Sequence, residues 1–212
     1  GNHEYPSSQN PASTPQLFLD YFSLPGSERF YSFDYGSVHF VALDVFQNSD
    51  APDNWYLTAA QRAWLESDLS VAEAAGTPWT VVYFHYPAYS SAASTSRPWE
   101  APFQADLVPI FEAHGVDYVV MGHHHLYNRS NGNGITYVIT GGGGAALHAA
   151  ASAPFAVNPN HHRVVAAEYE YVLFDATATR MTLVARRSDG TEIDRETKSN
   201  VRRNVILFIG DG

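Results

Sequence analysis

The fold is decided by the stretch Val116-Asp117-Tyr118-Val119-Val120-Met121-Gly122-His123-His124-His125. Its first part is apolar, rich in β-branched residues and ended by a glycine, which predicts a buried strand. The histidines therefore follow a strand end, where a loop on a rigid scaffold presents side chains to a cleft. If the segment is extended, His123 and His125 project to the same side, because side chains alternate along a strand.

Imidazole is a common ligand of zinc, iron, nickel and copper, so this histidine run is a candidate metal loop. A solvated polar turn is the alternative interpretation of the run taken alone. Two further polar segments stand at comparable positions. Gly1-Asn2-His3-Glu4 opens the chain, and His85 follows the apolar run Trp79-Thr80-Val81-Val82-Tyr83-Phe84, which predicts another strand.

Composition bounds the classes of function that remain open. The chain has 212 residues, of which 45% are hydrophobic and 14% aromatic, enough for one ordinary domain with a sizeable core. The net charge of −10 argues against binding to nucleic acid or to anionic membranes, which depends on clustered Lys and Arg. The sequence has no cysteine, so a metal must be held by His, Asn, Asp, Glu or Tyr. No apolar run approaches the roughly 18 residues of a membrane span.

Strand and helix patterns alternate along the first two thirds of the chain, and strand patterns alone follow, which indicates a mixed α/β layer fold. The patterns predict a hairpin turned at Gly36-Ser37, helices over 59–75 and 107–114, and strands over 79–84, 118–121, 135–140, 168–174, 180–187 and 192–197. Loops are predicted over 5–30, 87–101 and 141–160. The last loop opens with Gly141–Gly144, a tight turn behind the candidate site, and contains His148, to which we assign no role.

In order and spacing, Gly1-Asn2-His3-Glu4, His85-Tyr86-Pro87-Ala88-Tyr89 and the segment from Gly122 to Arg129 resemble the last three motifs of calcineurin-like metallophosphoesterases. The resemblance is strongest to the purple acid phosphatase branch and covers most of residues 1–198. It implies a four-layer αββα fold, in which a mixed β-sandwich is flanked by helices. It also implies a phosphatase, a hydrolase that acts on the phosphate esters, expected to be monoesters, of a small molecule.

The same resemblance implies a role for each matching residue. Asn2, His85 and His123 would bind one metal ion and His125 a second one, whereas His124 stands at a variable position and is not expected to be a ligand. The implied cofactor is a pair of ions, iron with zinc, manganese or iron. Two cations about 3.5–4 Å apart bind the phosphate oxygens and lower the pKa of a bridging water. Neutral ligands leave the ions more of their positive charge than carboxylates would.

His3 is not a metal ligand in this scheme. It would face the substrate and protonate the leaving alkoxide as a general acid, a contribution of roughly 10²–10⁴-fold. The loop after His85 lacks the histidine that contacts the substrate in many purple acid phosphatases, since Ser90–Ser96 contains none. Arg97 is the one cation of that loop and becomes the candidate phosphate contact.

The sequence departs from the family pattern at its start. Two motifs that carry aspartates, and in the purple branch a tyrosine, should precede Gly1 and are not in the sequence. We therefore expect the fold to lack its first strands, and we expect weak metal binding and little activity from the chain alone. A phosphodiesterase or nucleotidase on the same scaffold and a catalytically inactive binding domain are the alternatives. The acidic charge and the resemblance indicate a secreted or periplasmic protein, and the oligomeric state is not determined by the sequence.

The segment from Asn204 to Gly212 resembles the first strand and first metal motif of alkaline phosphatases. By that match Asp211 would bind zinc and magnesium in a second domain, residues 199–203 would be a linker, and residues 1–198 would form the first domain, with a terminal β segment over about 165–198. Two alternatives remain. In the first the segment is the last core strand of the first domain, and in the second it belongs to a circular permutation in which Gly210-Asp211 replaces the second aspartate motif.

Overall fold

The computed structural model describes residues 1–5, 15–46, 57–93, 97–151 and 162–200. After a short 3-10 helix at Asn2–Glu4, the helices are α1 Gln16–Tyr21, α2 Ala59–Ala75, α3 Glu100–Asp106 and α4 Val108–Ala113. The strands are β1 Tyr31–Tyr35, β2 Val38–Ala42, β3 Trp79–Tyr83, β4 Tyr118–Met121, β5 Tyr127–Gly132, β6 Ile135–Thr140, β7 His162–Ala166, β8 Glu170–Ala176, β9 Arg180–Arg187 and β10 Glu192–Ser199. No helix in these ranges is both long and apolar enough to cross a bilayer.

Helix α2 shows how local sequence sets the element boundaries. The side chain of Thr58 accepts a hydrogen bond from the backbone N–H of Gln61 and so caps the first turn. Gly76 ends the helix with a φ of 74°, a conformation that glycine adopts without a steric penalty. Leu65 and Leu69 are buried one turn apart on the face toward the sheet. Both helix ends therefore lie where the sequence predicts them.

Strands β1 to β7 form one sheet with the order β1-β2-β3-β4-β6-β5-β7. Strands β2, β3, β4 and β6 are mutually parallel, whereas β1, β5 and β7 pair antiparallel to their neighbours. The carboxyl ends of the parallel strands therefore meet at one edge of the sheet. In open α/β sheets this edge is where ligands bind.

The helices cover one face of this sheet and the three-stranded sheet β10-β9-β8 covers the other. Buried side chains of α2, α3 and α4 join those of the sheet in one core, which includes Leu65, Phe103, Phe111, Val82 and Val119. The second core lies between the two sheets and includes Trp79, Tyr118, Tyr127, Met181 and Leu183. The described residues thus form three successive layers, one of helices and two of sheet. The predicted mixed α/β fold is confirmed, whereas the second helical layer of the predicted four-layer αββα arrangement does not occur among the described residues.

Two elements contradict the predicted loops because tertiary contacts outweigh local pattern. The range 5–30 contains α1, and α3 begins within the predicted loop 87–101. Strand β5 follows the histidine loop directly, although its sequence is mostly polar and lacks strand alternation. It forms because it pairs with strands on both sides, and because Arg129 and Asn131 bond to carboxylates of β10. Strand β7 was likewise not predicted.

The predicted second domain, residues 204–212 with Asp211, lies outside the described residues, as do residues 201–203 of the predicted linker. The contacts of the first domain continue slightly beyond Lys198. Strand β10 runs to Ser199, and the side-chain amide of Asn200 donates to the carbonyl of Pro78 over 2.6 Å. The division of the chain at these residues stays a prediction.

Candidate metal centre

The candidate site forms at the carboxyl ends of β3 and β4, which are neighbours in the sheet. His85 follows β3, and the histidine run follows β4. The backbone hydrogen bonds between the two strands continue past their ends. The N–H of Phe84 donates to the carbonyl of Val120 over 3.1 Å, and the N–H of Gly122 donates to the carbonyl of His85 over 2.9 Å. These backbone bonds fix His85 and the histidine run relative to each other before any ligand binds.

Three of the predicted ligands come together at this edge. Asn2 Oδ1 lies 2.8 Å from His85 Nε2, and His85 Nε2 lies 3.3 Å from His123 Nδ1. Bonds of about 2.0–2.2 Å from one ion place neighbouring donor atoms roughly 3 Å apart, which these separations match. Among the described residues, no three His, Asp or Glu side chains converge by themselves. The converging donors are therefore two imidazoles and one amide, a set that suits zinc, iron or manganese.

Burial acts on the protonation of both imidazoles. It is the main cause that lowers the pKa of His85 to about 3 and the pKa of His123 to about 4, with further contributions from neighbouring cationic groups. Both rings are therefore neutral at neutral pH. A neutral ring is the form that offers a lone pair to a metal ion.

The histidine run is not extended, so the predicted alternation of its side chains is wrong. His123 has a φ of 63°, and the N–H of His124 donates across it to the carbonyl of Gly122 over 2.8 Å. The next bond of the same kind joins Leu126 N–H to His124. The chain therefore leaves β4 in tight γ-turns, and a non-glycine residue in this conformation costs on the order of 1–3 kcal/mol. Such strain is typical of functional sites.

Ring contacts keep His123 in this position. Its ring centroid lies 4.5 Å from that of Tyr86 and 4.9 Å from that of Trp99. The sequence signal for Tyr86 is its place directly after His85 in the motif-like segment from His85 to Tyr89, and no spacing rule identifies Trp99.

His124 is buried, with 1% of its surface exposed, and its Nδ1 lies 2.5 Å from the hydroxyl of Ser90. Burial lowers the pKa of its imidazole to about 3. The bond to Ser90 ties the histidine run to the loop after β3. This placement agrees with the expectation that His124 is not a ligand, which stays a prediction.

His125 faces a different set of groups. Its Nδ1 lies 2.8 Å from the carbonyl oxygen of Ala146, and its ring stacks on that of His148 with centroids 4.4 Å apart. A carbonyl oxygen only accepts, so Nδ1 carries the proton and Nε2 keeps the lone pair that would bind a metal. Sequence reasoning did not identify Ala146 or His148, because both lie in a loop of small residues without a pattern.

His3 and Gly1 complete the chain start at this edge. His3 is exposed in the 3-10 helix, and its electrostatic contribution to the lowered pKa values of His85 and His123 places it beside the donors. A Cβ on Gly1 would lie 2.7 Å from His85 Nδ1. The residue before Asn2 must therefore be a glycine for the backbone to approach His85 this closely.

Arg97 is engaged within its own loop. Its guanidinium donates to the carbonyl of Ser90 over 2.5 Å and lies 3.3 Å from the carboxylate of Glu100. Burial raises the pKa of the Glu100 carboxyl to about 7 despite this cation. A contact between Arg97 and a phosphate stays a prediction that would require these bonds to change.

The glycine run lies directly behind the histidine run. A Cβ on Gly141 would stand 2.1 Å from the carbonyl oxygen of His124, and one on Gly142 would stand 2.3 Å from the carbonyl oxygen of Glu168. The run therefore lies behind the site, where the sequence predicts it, and it bends over residues 143–145 without a hydrogen-bonded turn. Glu170 fixes it by accepting from the N–H of Gly142 over 3.0 Å.

A cleft of about 360 Å³ is lined by His85 and by Gly1 and Gly122, the residues that precede Asn2 and His123. On its other side, Asp44 accepts hydrogen bonds from the phenol of Tyr5 and from Arg29. Asp44 also accepts the N–H of Phe46 over 3.2 Å, so its carboxylate is engaged in a turn. The cleft therefore opens beside the metal donors and is bounded by an ion pair.

Comparisons with known proteins show the family to which the chain is similar. The family model of calcineurin-like phosphoesterases matches residues 1–127. Purple acid phosphatase 23 of Arabidopsis thaliana is 36% identical over 137 residues, which are 62% of this chain and 28% of that protein. An acid phosphatase of Aspergillus ficuum is 30% identical over 153 residues, covering 51% of this chain and 24% of its own length.

Among solved structures, a purple acid phosphatase from yellow lupin seeds matches 87% of this chain and 35% of its own, with a TM-score of 0.71 and 24% identity, which shows the shared fold. The chain thus spans about 28% of the length of the plant relative cited above. The matched residues 1–127 contain Asn2, His85, His123 and His125. The chain belongs to the calcineurin-like phosphoesterase family.

Proposed function

We propose that the chain supplies one histidine-rich half of a dinuclear metal site that hydrolyses phosphate monoesters of a small molecule. The observation that carries the proposal is the convergence of Asn2, His85 and His123 at the carboxyl ends of adjacent parallel strands. Its neutral donors fit a site whose cations must keep their charge to bind an anionic ester. The family relationship and the similarity to purple acid phosphatases support the same chemistry.

In this proposal Asn2, His85 and His123 hold one ion, and His125 contributes its Nε2 to a second. The bound ions would neutralise the phosphate oxygens and supply a hydroxide at neutral pH. His3 would donate its proton to the leaving oxygen. Its exposed position directly after Asn2 in the 3-10 helix supports this role.

Few donors converge, and this sets the expected activity of residues 1–212. Three protein ligands are what a catalytic zinc site uses, but none of these three carries a charge that attracts the ion, and His125 is the single proposed ligand of the second ion. We therefore expect weak metal binding and little turnover from this chain by itself. The iron-containing metal pair, the location outside the cytoplasm and the alkaline-phosphatase-like segment with Asp211 rest on resemblance alone and stay predictions.

The test is a calorimetric titration of metal-free residues 1–212 with Zn²⁺ and, separately, with Mn²⁺. We expect His85→Ala and His123→Ala to abolish the binding seen in the unchanged chain. His114→Ala is the matched control, because His114 is also partly buried but lies at the end of α4, away from the donors. Unchanged affinity in His85→Ala would refute the proposed site.

A second measurement addresses the reaction. Turnover of p-nitrophenyl phosphate and of its diester is followed with each metal, for the unchanged chain and for His3→Ala. Residual hydrolysis that prefers the monoester and falls in His3→Ala supports the proposed roles. Preference for the diester favours the phosphodiesterase alternative, and fast turnover by the unchanged chain contradicts the expected weak activity. Metal binding without any hydrolysis favours an inactive binding domain.

A further inference from the structure

The segment Ala146–Ala151 is held firmly against the loop that follows β3. The N–H of Ala93 donates to the carbonyl of Ala149 over 2.8 Å, and the N–H of Ala151 donates to the carbonyl of Ser91 over 2.8 Å. Residues Ala92 and Ala150 form an antiparallel bridge between these two bonds. Although both segments are irregular, they are joined as two strands of a sheet would be. The position of His148 is therefore fixed by backbone pairing.

His148 and His125 make three contacts with each other, two hydrogen bonds and one ring stack. The N–H of His148 donates to the carbonyl of His125 over 2.9 Å, and the N–H of His125 points to Nδ1 of His148 over 3.3 Å. The two rings stack with an angle of 19° between their planes. The His148 ring also lies 5.8 Å from that of His124. A solvated loop histidine would not make a reciprocal pair of this kind.

The contacts determine which nitrogen of each ring carries a proton. Ala146, two residues before His148, offers its carbonyl oxygen to Nδ1 of His125, so His125 is protonated at Nδ1 and free at Nε2. His148 accepts at Nδ1 and is therefore protonated at Nε2. Metal-binding histidines are in general oriented in this way: one ring N–H donates a hydrogen bond to a carbonyl, and the other ring nitrogen binds the ion.

We propose that His148 is a positioning residue for His125: by stacking on its ring and bonding to its backbone, it holds the Nδ1–H of His125 on the carbonyl of Ala146 and aims the Nε2 lone pair at the metal centre. This inference rests on the proposed function for the ligand role of His125. The orientation of the ring, however, is a property of the chain without metal and is measured separately. His148 acts through His125 and is not expected to contact the reacting atoms.

The experiment is nitrogen NMR of the histidine rings in metal-free residues 1–212, in which long-range couplings identify the protonated nitrogen of each ring. We expect His125 to be protonated at Nδ1 in the unchanged chain. In His148→Ala we expect the Nε2–H form, which free imidazole prefers in water, to become the major one. In His148→Asn the side-chain oxygen accepts near the former position of Nδ1, so we expect the original form to be partly restored.

Two outcomes of the metal-free measurement overturn the inference: His125 protonated mainly at Nε2 in the unchanged chain, or protonation of His125 unaffected by His148→Ala. Thermal unfolding of each variant shows that the fold is retained, and His114→Ala is the control for loss of a partly buried histidine elsewhere. Addition of Zn²⁺ then separates the two proposals. We expect the His125 signals to respond at a roughly 10–100-fold higher concentration in His148→Ala.

If the His125 signals do not respond to Zn²⁺ in any variant, the ligand role of His125 fails, while the positioning by His148 is judged from the proton location alone. If they respond equally in the unchanged chain and in His148→Ala, the positioning role is overturned and the ligand role stands. Each failure is therefore visible without the other.

Discussion

Arg129 and Asp194 form a two-pronged ion pair that ties β5 of the large sheet to β10 of the small one. Arg129 Nε lies 2.6 Å from one carboxylate oxygen of Asp194, and a terminal guanidinium nitrogen lies 3.1 Å from the other. The hydroxyl of Tyr127 donates to the same carboxylate over 2.7 Å. The side chains of Arg129 and Asp194 are only 13% and 8% exposed. The two layers are thus joined by a desolvated polar contact as well as by an apolar core.

Asp194→Ala should destabilise the fold by about 3 kcal/mol, because it removes the two-pronged partner of a buried guanidinium and leaves Arg129 with single contacts to Glu196 and Asn131. Glu192→Ala is the matched control on the same strand, since its pair with Arg195 is exposed to solvent and should contribute little to stability. Urea unfolding of both variants gives the comparison. Equal losses for the two variants would show that the pair between the sheets is not a major contributor to stability.

His123→Gly should be more stable than His123→Ala by about 1 kcal/mol, because residue 123 has a φ of 63° that only glycine adopts without strain. Both variants lose the same ring contacts with Tyr86 and Trp99, so the difference isolates the backbone. At the exposed position Ala74 within α2, alanine should instead be more stable than glycine, and Ala74→Gly should cost about 1 kcal/mol. Denaturant midpoints at constant m-value test both; a less stable glycine at position 123 contradicts the strain.

Gly141→Ala should destabilise the fold and displace the histidine run, because its Cβ would stand 2.1 Å from the carbonyl oxygen of His124. Overpacking against backbone of this kind costs about 1–3 kcal/mol. Gly143→Ala is the control within the same run, because a Cβ there meets no atom within 4 Å. Thermal unfolding and the ring signals of His124 provide the two readouts. A Gly141→Ala variant that behaves like Gly143→Ala would exclude the close approach.

His39 should make stability depend on pH above neutrality. Its Nδ1 lies 2.7 Å from Asp34 and its Nε2 lies 3.0 Å from Asp68, which links the β1–β2 hairpin to α2. The hydrogen bond to Asp68 is the main cause that raises the pKa of His39. A pKa raised in the folded state means that the stabilisation is complete below the unfolded pKa of about 6.5 and is lost as the pH rises through the folded pKa.

The His39→Gln variant should therefore lose the most stability relative to the unchanged chain below about pH 6.5, and the difference should shrink as the pH rises through the raised folded pKa. Urea unfolding over this range measures it. A difference that stays constant with pH would mean that His39 holds the same charge in the folded and unfolded chain.

The sequence predicts the parts of the fold that local pattern controls. The boundaries of α2 follow from Thr58 and Gly76, and the hairpin turn at Gly36-Ser37 lies where the register places it. Strand β5 was missed because its polar residues are satisfied by β10, whose sequence lies more than 60 residues away, and no local window contains both. Helix α3 is not predicted for the same reason, because it is stabilised by the packing of Trp99 and Phe103 in the core, a contact with distant parts of the chain.

The site was predictable only as a set of residue types. Asn2, His85 and His123 follow from the family motifs, and the parallel order of β3 and β4 explains why two of them meet. The left-handed turn at His123 has no sequence signal. Glycine is the residue that marks such a turn, but here the glycine is Gly122, and the residue with the positive φ is the histidine that follows it. The partners of His125 come from a loop of small residues whose position depends on backbone pairing with Ala92 and Ala93.

The wide spacing of the donors along the chain has a mechanical consequence. Asn2 and His85 are 83 positions apart, and His85 and His123 are 38 positions apart. An ion held by all three is therefore a reversible cross-link between three distant parts of the folded chain. Because the ion binds the folded chain and not the unfolded one, the free energy of unfolding would rise with the logarithm of the free metal concentration. The supply of metal would then set the fraction of the protein that stays folded.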